Sequence, residues 1–263
     1  MSAPSSSPPL VELAQVDAGY SQSPGAVIVE SIDWSIGAGD FWVVAGLPGC
    51  GKSQVLQTAA GLLPPLTGRH QLFGRALADL PPREIERARR RVGFLFSGGG
   101  RLFAELTVAE NVGLPLCYQR DCDLDAVQGP VDGLLALVGL SRVARQWPHQ
   151  LSATLRQRVA LARALALEPE VLFLDNPLSG LDAQQWRWWA GFVARLTAGD
   201  STLPKRPTAV VVATDDLRPW LGPQRQYVLI ERGRWWPQGE AGAVRASRSP
   251  GVRELLAEPD PND

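Results

Sequence analysis

The chain has 263 residues, 45% apolar and 20% charged, enough to bury a sizeable core in one large domain or one domain with a subdomain. A net charge of -1 leaves no basic surplus of the kind that points to nucleic acid, and three cysteines (Cys50, Cys117, Cys122) without metal-binding spacing suit a reducing cytosol. No apolar run approaches the roughly 18 residues of a membrane span and no signal-peptide pattern opens the chain, so any membrane role is expected to come through a partner.

Residues 1–9 are Ser/Pro-rich and read as disordered. Residues 10–16 read as a strand, and 27–36 as one or two more, alternating apolar and polar up to Gly37-Ala38-Gly39-Asp40. Tyr20 falls in the turn between them, and the pattern predicts a small antiparallel sheet. Phe41-Trp42-Val43-Val44-Ala45 then reads as a buried strand. It runs into Gly46-Leu47-Pro48-Gly49-Cys50-Gly51-Lys52-Ser53, which fits G-x-x-x-x-G-K-S, and residues 54–60 read as a helix. Strand, glycine loop and helix in that order are the context a phosphate-binding loop needs. Glycines let backbone N–H groups turn inward around a phosphate, and the helix points its positive end at the same charge. Lys52 would reach the β- and γ-phosphates, and the Ser53 hydroxyl would hold Mg²⁺. The bland alternative is a chance glycine turn. For Cys50 the favoured reading is a small filler without a redox role.

Gly61-Leu62-Leu63-Pro64-Pro65 stops that helix. An Arg-rich helix, 83–91, follows Pro81-Pro82 and reads as a solvated face. Residues 92–96 form a short apolar strand, and Ser97-Gly98-Gly99-Gly100 a flexible loop. A helix starts at 107–111, where Thr107 and Glu110 fit a capping box. Residues 131–140 and 155–166 are helical by periodicity. Val171-Leu172-Phe173-Leu174-Asp175 is a buried strand ending in a carboxylate, 184–196 is a Trp-bearing helix, and 197–207 a polar loop. Strands follow at 209–213 and 226–231, with one short helix and a frayed tail from 239 on. Strands alternating with helices predict a parallel sheet.

A carboxylate at the end of a buried strand downstream of a phosphate loop suits the Mg²⁺ side of such a site, and Asp175 fits. Its surroundings are more specific. Leu151-Ser152-Ala153-Thr154-Leu155 opens one helix, and Asp175-Asn176-Pro177-Leu178-Ser179-Gly180-Leu181-Asp182 closes the strand. This ordered set resembles the ABC-type ATPases from about residue 10 to 256. The resemblance implies an α/β fold: a P-loop NTPase (RecA-like) core with an antiparallel β subdomain and a helical subdomain at about 97–157, leaving 257–263 as a tail. It also implies ATP and Mg²⁺ as ligands. Tyr20 would stack on adenine. Residues Gly46, Leu47, Pro48, Gly49, Cys50, Gly51, Lys52 and Ser53 would cradle the phosphates, and Ser53 and Asp175 would hold the metal. Ser152 would contact the nucleotide of a second ATPase domain across a head-to-tail pair, and Asp182 would lie in the loop spanning that interface. The implied partners are an ABC membrane subunit and a second copy or a more active ABC ATPase, with no nucleic acid; the implied place is the cytoplasmic face of a membrane. The stretches 94–96, 101–116 and 249–256 look like the phospholipid-trafficking (Mla/Mce-type) subunits, although amino-acid importer ATPases share much of the first part.

Four motifs depart from the family pattern, at five residues. The general-base Glu is Asn176, a carboxamide that cannot take a proton, and loss of a general base costs about 10²–10⁴ in rate. The loop Gln is Ser97, which is too short to span to metal and water. The switch His is Asp215, and an anion about 4 Å from another repels it by about 4 kcal/mol at an effective dielectric near 20. The two signature glycines are Ala153 and Thr154, and a β-branched side chain obstructs close approach of backbone to phosphate. Together they imply hydrolysis lost or very slow. The expected function is the nucleotide-binding subunit of an ABC transporter; a non-hydrolysing ATP-binding regulator or scaffold is the alternative. A soluble repair or translation protein fits less, for want of paired domains or long insertions.

Overall fold

The computed structural model describes residues 8–20, 26–198 and 209–257. Its elements run β1 (Val11–Gly19), β2 (Val27–Ile36), β3 (Phe41–Ala45), α1 (Lys52–Ala59), β4 (Thr67–Leu72), β5 (Arg75–Ala76), α2 (Pro82–Arg89), β6 (Val92–Leu95), α3 (Val108–Arg120), α4 (Gln128–Leu137), α5 (Ala153–Leu165), β7 (Val171–Asp175), α6 (Ala183–Ala198), β8 (Ala209–Thr214), β9 (Gln226–Glu231), β10 (Arg234–Glu240), α7 (Ala241–Ala246) and α8 (Pro250–Leu256). The chain divides into two units, Met1–Arg89 with Thr208–Asp263, and Arg90–Pro207.

In the first unit the strand order is β5-β4-β1-β2-β10-β9-β3-β8. The half around β3 is parallel. β3 pairs with β8 and β9, placing Ala45 opposite Thr214 and Leu229. These strands carry nearly continuous apolar runs, as a sheet covered on both faces requires; β8 is buried along its whole length. The other half is antiparallel, β1 pairing with β2 and with β4. In the second unit β6 and β7 pair in parallel, and α3 to α6 complete it.

The sequence reading differs from the structure in a few elements. The strand read at 10–16 runs on to Gly19, and 27–36 is one strand. The pair β4 and β5 goes unread because Thr67-Gly68-Arg69-His70-Gln71-Leu72 is polar and glycine-bearing. Pairing supplies what its own composition lacks, with β1 on one side and β5 on the other. β10 also goes unread, since Pro237 and Gly239 argue against a strand. Its ladder with β9 shifts register between those two residues, the irregular position where proline is tolerated. Two short helices, not one, close the described chain. Ser97–Gly99, in the loop read at 97–100, forms a 3-10 turn, and Gly98, Gly99 and Gly100 all have positive φ. Most of the polar loop read at 197–207, residues 1–7 and the end of the tail lie outside the described residues.

Candidate phosphate-binding site

The glycine loop joins the end of β3 to α1. Gly46 N–H donates to the Thr214 carbonyl at 3.2 Å, which fixes the loop to the sheet where β8 ends. A Cβ on Gly46 would lie 2.5 Å from Cys50 Sγ and 2.7 Å from the Ile230 carbonyl oxygen, so only glycine fits there. Gly51 precedes α1 at φ 104°, and no side chain caps the helix. The first N–H groups of α1 therefore have no side-chain acceptor, and its first turn carries no acid.

Lys52 is buried, 7% exposed. Its Nζ donates to the Gly46 carbonyl at 2.6 Å and the Leu47 carbonyl at 2.9 Å, and approaches Cys50 Sγ at 3.9 Å. Among the described residues it makes no ion pair. A buried ammonium held only by neutral acceptors carries charge that an anion would neutralise. Ser53 follows, half-buried in the first turn of α1. Burial pushes the Cys50 thiol above its ordinary range, and the Lys52 charge opposes this only in part, so Cys50 is a filler rather than an activated nucleophile.

Two further residues join the loop in this unit. Tyr20, half-exposed just past β1, takes a hydrogen bond at its hydroxyl from Gln54 Nε2 on α1. Asp215 leaves the sheet one residue beyond Thr214, whose carbonyl accepts the Gly46 N–H. The chain there is held by Thr214 Oγ1 donating to the Asp216 carbonyl and by a two-pronged Asp216–Arg218 pair.

The other singled-out residues lie in the second unit. Asp175 ends β7 and is 3% exposed. Asn176 follows at φ 44°, left-handed backbone that asparagine tolerates better than most residues. Asp182 accepts the Gln185 N–H at 2.8 Å on its Oδ1, which makes it the opening cap of α6. Ser152 caps α5 through its Oγ, which accepts the Leu155 N–H, and Ala153 and Thr154 form an ordinary first turn. Ser97, exposed, opens the glycine turn after β6.

Sequence reasoning missed Gln157. It is 3% exposed, and its Nε2 donates to the Pro177 carbonyl at 2.9 Å, so its side chain links the helix after Ser152 to the loop after Asn176. Its backbone lies so close to Gly99 that a Cβ there would stand 3.0 Å from the Gln157 Cα. Its only signal was a polar residue on the apolar side of a helical pattern. Arg158 was missed too; its guanidinium lies 3.8 Å over the Trp188 ring and Nη2 donates to Gln185, tying α5 to α6.

A glycine loop that starts a helix at the end of a central parallel strand, with a buried lysine at its close, defines the core of a P-loop nucleoside triphosphatase. The model of the ABC transporter family matches residues 29–179, more than half of the chain, and the chain belongs to that family. It is 40% identical over 158 residues to the sulfate/thiosulfate import ATP-binding protein CysA of Mycobacterium tuberculosis, covering 60% of this chain and 43% of that protein. It is 39% identical over 176 residues to the spermidine/putrescine import ATP-binding protein PotA of Pseudomonas fluorescens, covering 66% and 47%. The chain thus matches less than half the length of either relative. Among solved structures it resembles the dimeric ATP-binding cassette MJ0796 bound to ADP and Pi, with TM-score 0.74, 28% identity, and 85% and 95% of the two chains covered. The fold also matches cbiO1 from Clostridium perfringens, with TM-score 0.76, 24% identity, and 94% and 93% covered.

Proposed function

We propose that this chain is the ATP-binding subunit of an ABC transporter, and that it holds ATP–Mg²⁺ with hydrolysis lost or very slow. One observation carries the binding half of this reading: the buried Lys52 ammonium, paired with no acid among the described residues, closes a loop in which Gly46 and Gly51 leave no room for a side chain. Both features fit a polyphosphate. Lys52 and the N–H groups of α1 would bind the phosphates, Tyr20 would stack on the base, and Ser53 with Asp175 would hold the metal. Bound Mg²⁺ supplies charge neutralisation on the phosphate oxygens.

The hydrolytic half rests on residue chemistry. Asn176 orients a water by hydrogen bonding but cannot remove its proton. Ser97 is too short to reach across to metal and water, and Asp215 brings negative charge where the family pattern has a histidine. The chain is proposed to act in a head-to-tail pair, with a second copy or a more active ABC ATPase, on the cytoplasmic face of a membrane subunit. Ser152 and Asp182 would face the second ATPase. The named relatives take cargo as different as sulfate and spermidine, so the cargo is argued from sequence alone: residues 94–96, 101–116 and 249–256 favour lipid.

The test is phosphate release. The purified chain should release phosphate near background, and Asn176→Glu alone should not restore it, because Ser97 and Asp215 remain. Robust turnover by the parent chain refutes the hydrolytic half. Purification from membranes together with a multispan protein supports the transporter role, whereas recovery only as a free ATP-binding monomer or homodimer favours the regulator.

A further inference from the structure

A cavity of about 610 Å³ lies in the first unit at the C-terminal end of α1, the end away from the glycine loop. Its size falls in the range of small-molecule sites, roughly 300–1,000 Å³, and like them it is largely apolar with a few polar groups. Leu63, Pro64, Leu66, Leu77 and Ile85 supply the apolar wall. The charged groups are Arg69, Arg89 and Asp79, a surplus of one positive charge.

The two arginines are not equivalent. With the Gln71 amide turned oxygen-first, Arg69 donates to it through both Nε and Nη2 at 2.9 Å. Arg89 spends only Nε, on the Gly61 carbonyl at 2.6 Å, and its Nη groups make no other hydrogen bond among the described residues. His70 also lines the cavity and is 5% exposed. Its Nε2 lies 3.2 Å from the Ala59 carbonyl oxygen, which places the ring proton there and leaves Nδ1 a bare acceptor, buried and unpartnered. Burial, with the Arg89 charge beside it, brings the imidazole pKa down to about 4, so His70 is neutral at pH 7 and does not change the charge count.

We propose that this cavity binds a small monocarboxylate with an apolar body, its carboxylate on the Nη groups of Arg89 and its body against Leu66, Leu77 and Ile85. One guanidinium with open donors suits one carboxylate. Asp79 disfavours a multiply charged phosphate, and the apolar wall disfavours a small hydrated ion. The proposal is independent of the reading of the glycine loop, since the site stands at the other end of α1.

Decanoate is the probe, and the full-length chain carries its own reporter. The chain has only two histidines, His70 in this cavity and His149 in the second unit, so ring resonances give two assignable signals in NMR. Decanoate, below its micelle concentration, should shift His70 saturably and leave His149 in place. Arg89→Ala should raise the dissociation constant about tenfold, and the neutral isostere 1-decanol should bind the parent about tenfold more weakly than the acid. Because Arg89 also holds the Gly61 carbonyl, a second variant keeps the test clean: Ile85→Trp, one turn before Arg89 on α2, fills the cavity and should block decanoate while Arg89 stays. Absence of a saturable His70 shift, equal affinity for acid and alcohol, displacement by inorganic phosphate, or unchanged binding to Ile85→Trp would each overturn the proposal.

Discussion

The loops before α1 and α5 both open a helix, and they do so in opposite ways. Gly51 enters α1 at φ 104° with no side chain on the first N–H groups, while Ser152 enters α5 in extended backbone and caps it with its own hydroxyl. The first helix start depends on something outside the protein to meet its polar groups; the second satisfies itself. Side chains follow the same division. At Gly46 an added Cβ collides with a backbone carbonyl, whereas Ala153 and Thr154 carry side chains in a regular turn without strain. The side chains at 153 and 154 therefore cost this chain's own fold nothing.

The largest effect expected from this comparison is at Lys52. Lys52→Ala removes the one buried cation of the loop, and ATP–Mg²⁺ affinity should fall at least about a hundredfold. Calorimetry on both proteins measures it, and equal heats would end the argument that this loop binds phosphate. Next comes the close packing of the loop itself. Gly46→Ala forces a Cβ to within 2.7 Å of the Ile230 carbonyl, and such overpacking should destabilise the chain by about 2 kcal/mol. An unchanged urea midpoint would show that the loop has slack, and that its glycine is not required by the fold.

The first loop was legible in the sequence because its chemistry is contiguous: strand, eight loop residues and helix stand in one stretch. The same holds for Asp175 through Asp182. Strands β3, β7 and β8 were legible as continuous apolar runs, and the Thr107–Glu110 box is present at the start of α3 with both reciprocal hydrogen bonds. What was not legible depends on pairing across long sequence separations. β4 is a strand because β1 and β5 flank it, and Gln157 matters because its side chain ties α5 to the Pro177 carbonyl, twenty residues on. The left-handed backbone at Asn176 also has no sequence signal beyond asparagine's tolerance for it. The residue that looks like a lost base is also one that its backbone suits.

A third test compares the two ends of α1. The glycine loop end has a buried charge, and the far end has a buried neutral histidine. His70 titrates near 6.5 when unfolded and near 4 in the fold, so between those values the unfolded chain binds more protons. Stability from this group is fully present above pH 6.5 and is lost as pH falls toward 4. At pH 5 the loss should be about 2 kcal/mol relative to pH 7. His70→Gln can still donate to the Ala59 carbonyl and has no proton to gain, so its urea midpoint should fall less between pH 7 and pH 5 than the parent's. Parallel pH profiles would place His70's titration outside the folding equilibrium.

The smallest effects fall at the self-satisfied helix start, and they sharpen the comparison most. Ser152→Ala deletes the cap of α5 and should cost about 1 kcal/mol. Replacing Ala153 and Thr154 by glycine should cost a similar amount in total, because glycine is the poorer helix former. That double change is therefore expected to weaken this chain on its own. In a mixed pair with a conventional ABC ATPase its effect should have the opposite sign for turnover. In the proposed pair the partner's loop and base would work against this chain's 151–155 segment, and removing the Thr154 side chain would let backbone approach the phosphate. Urea unfolding of the variant alone, read beside phosphate release from the mixed pair, separates the two roles. A variant that is less stable yet speeds the pair shows that Ala153 and Thr154 serve this chain's helix at the expense of the shared site. A variant that is less stable and leaves turnover unchanged shows that these two side chains never meet the second nucleotide.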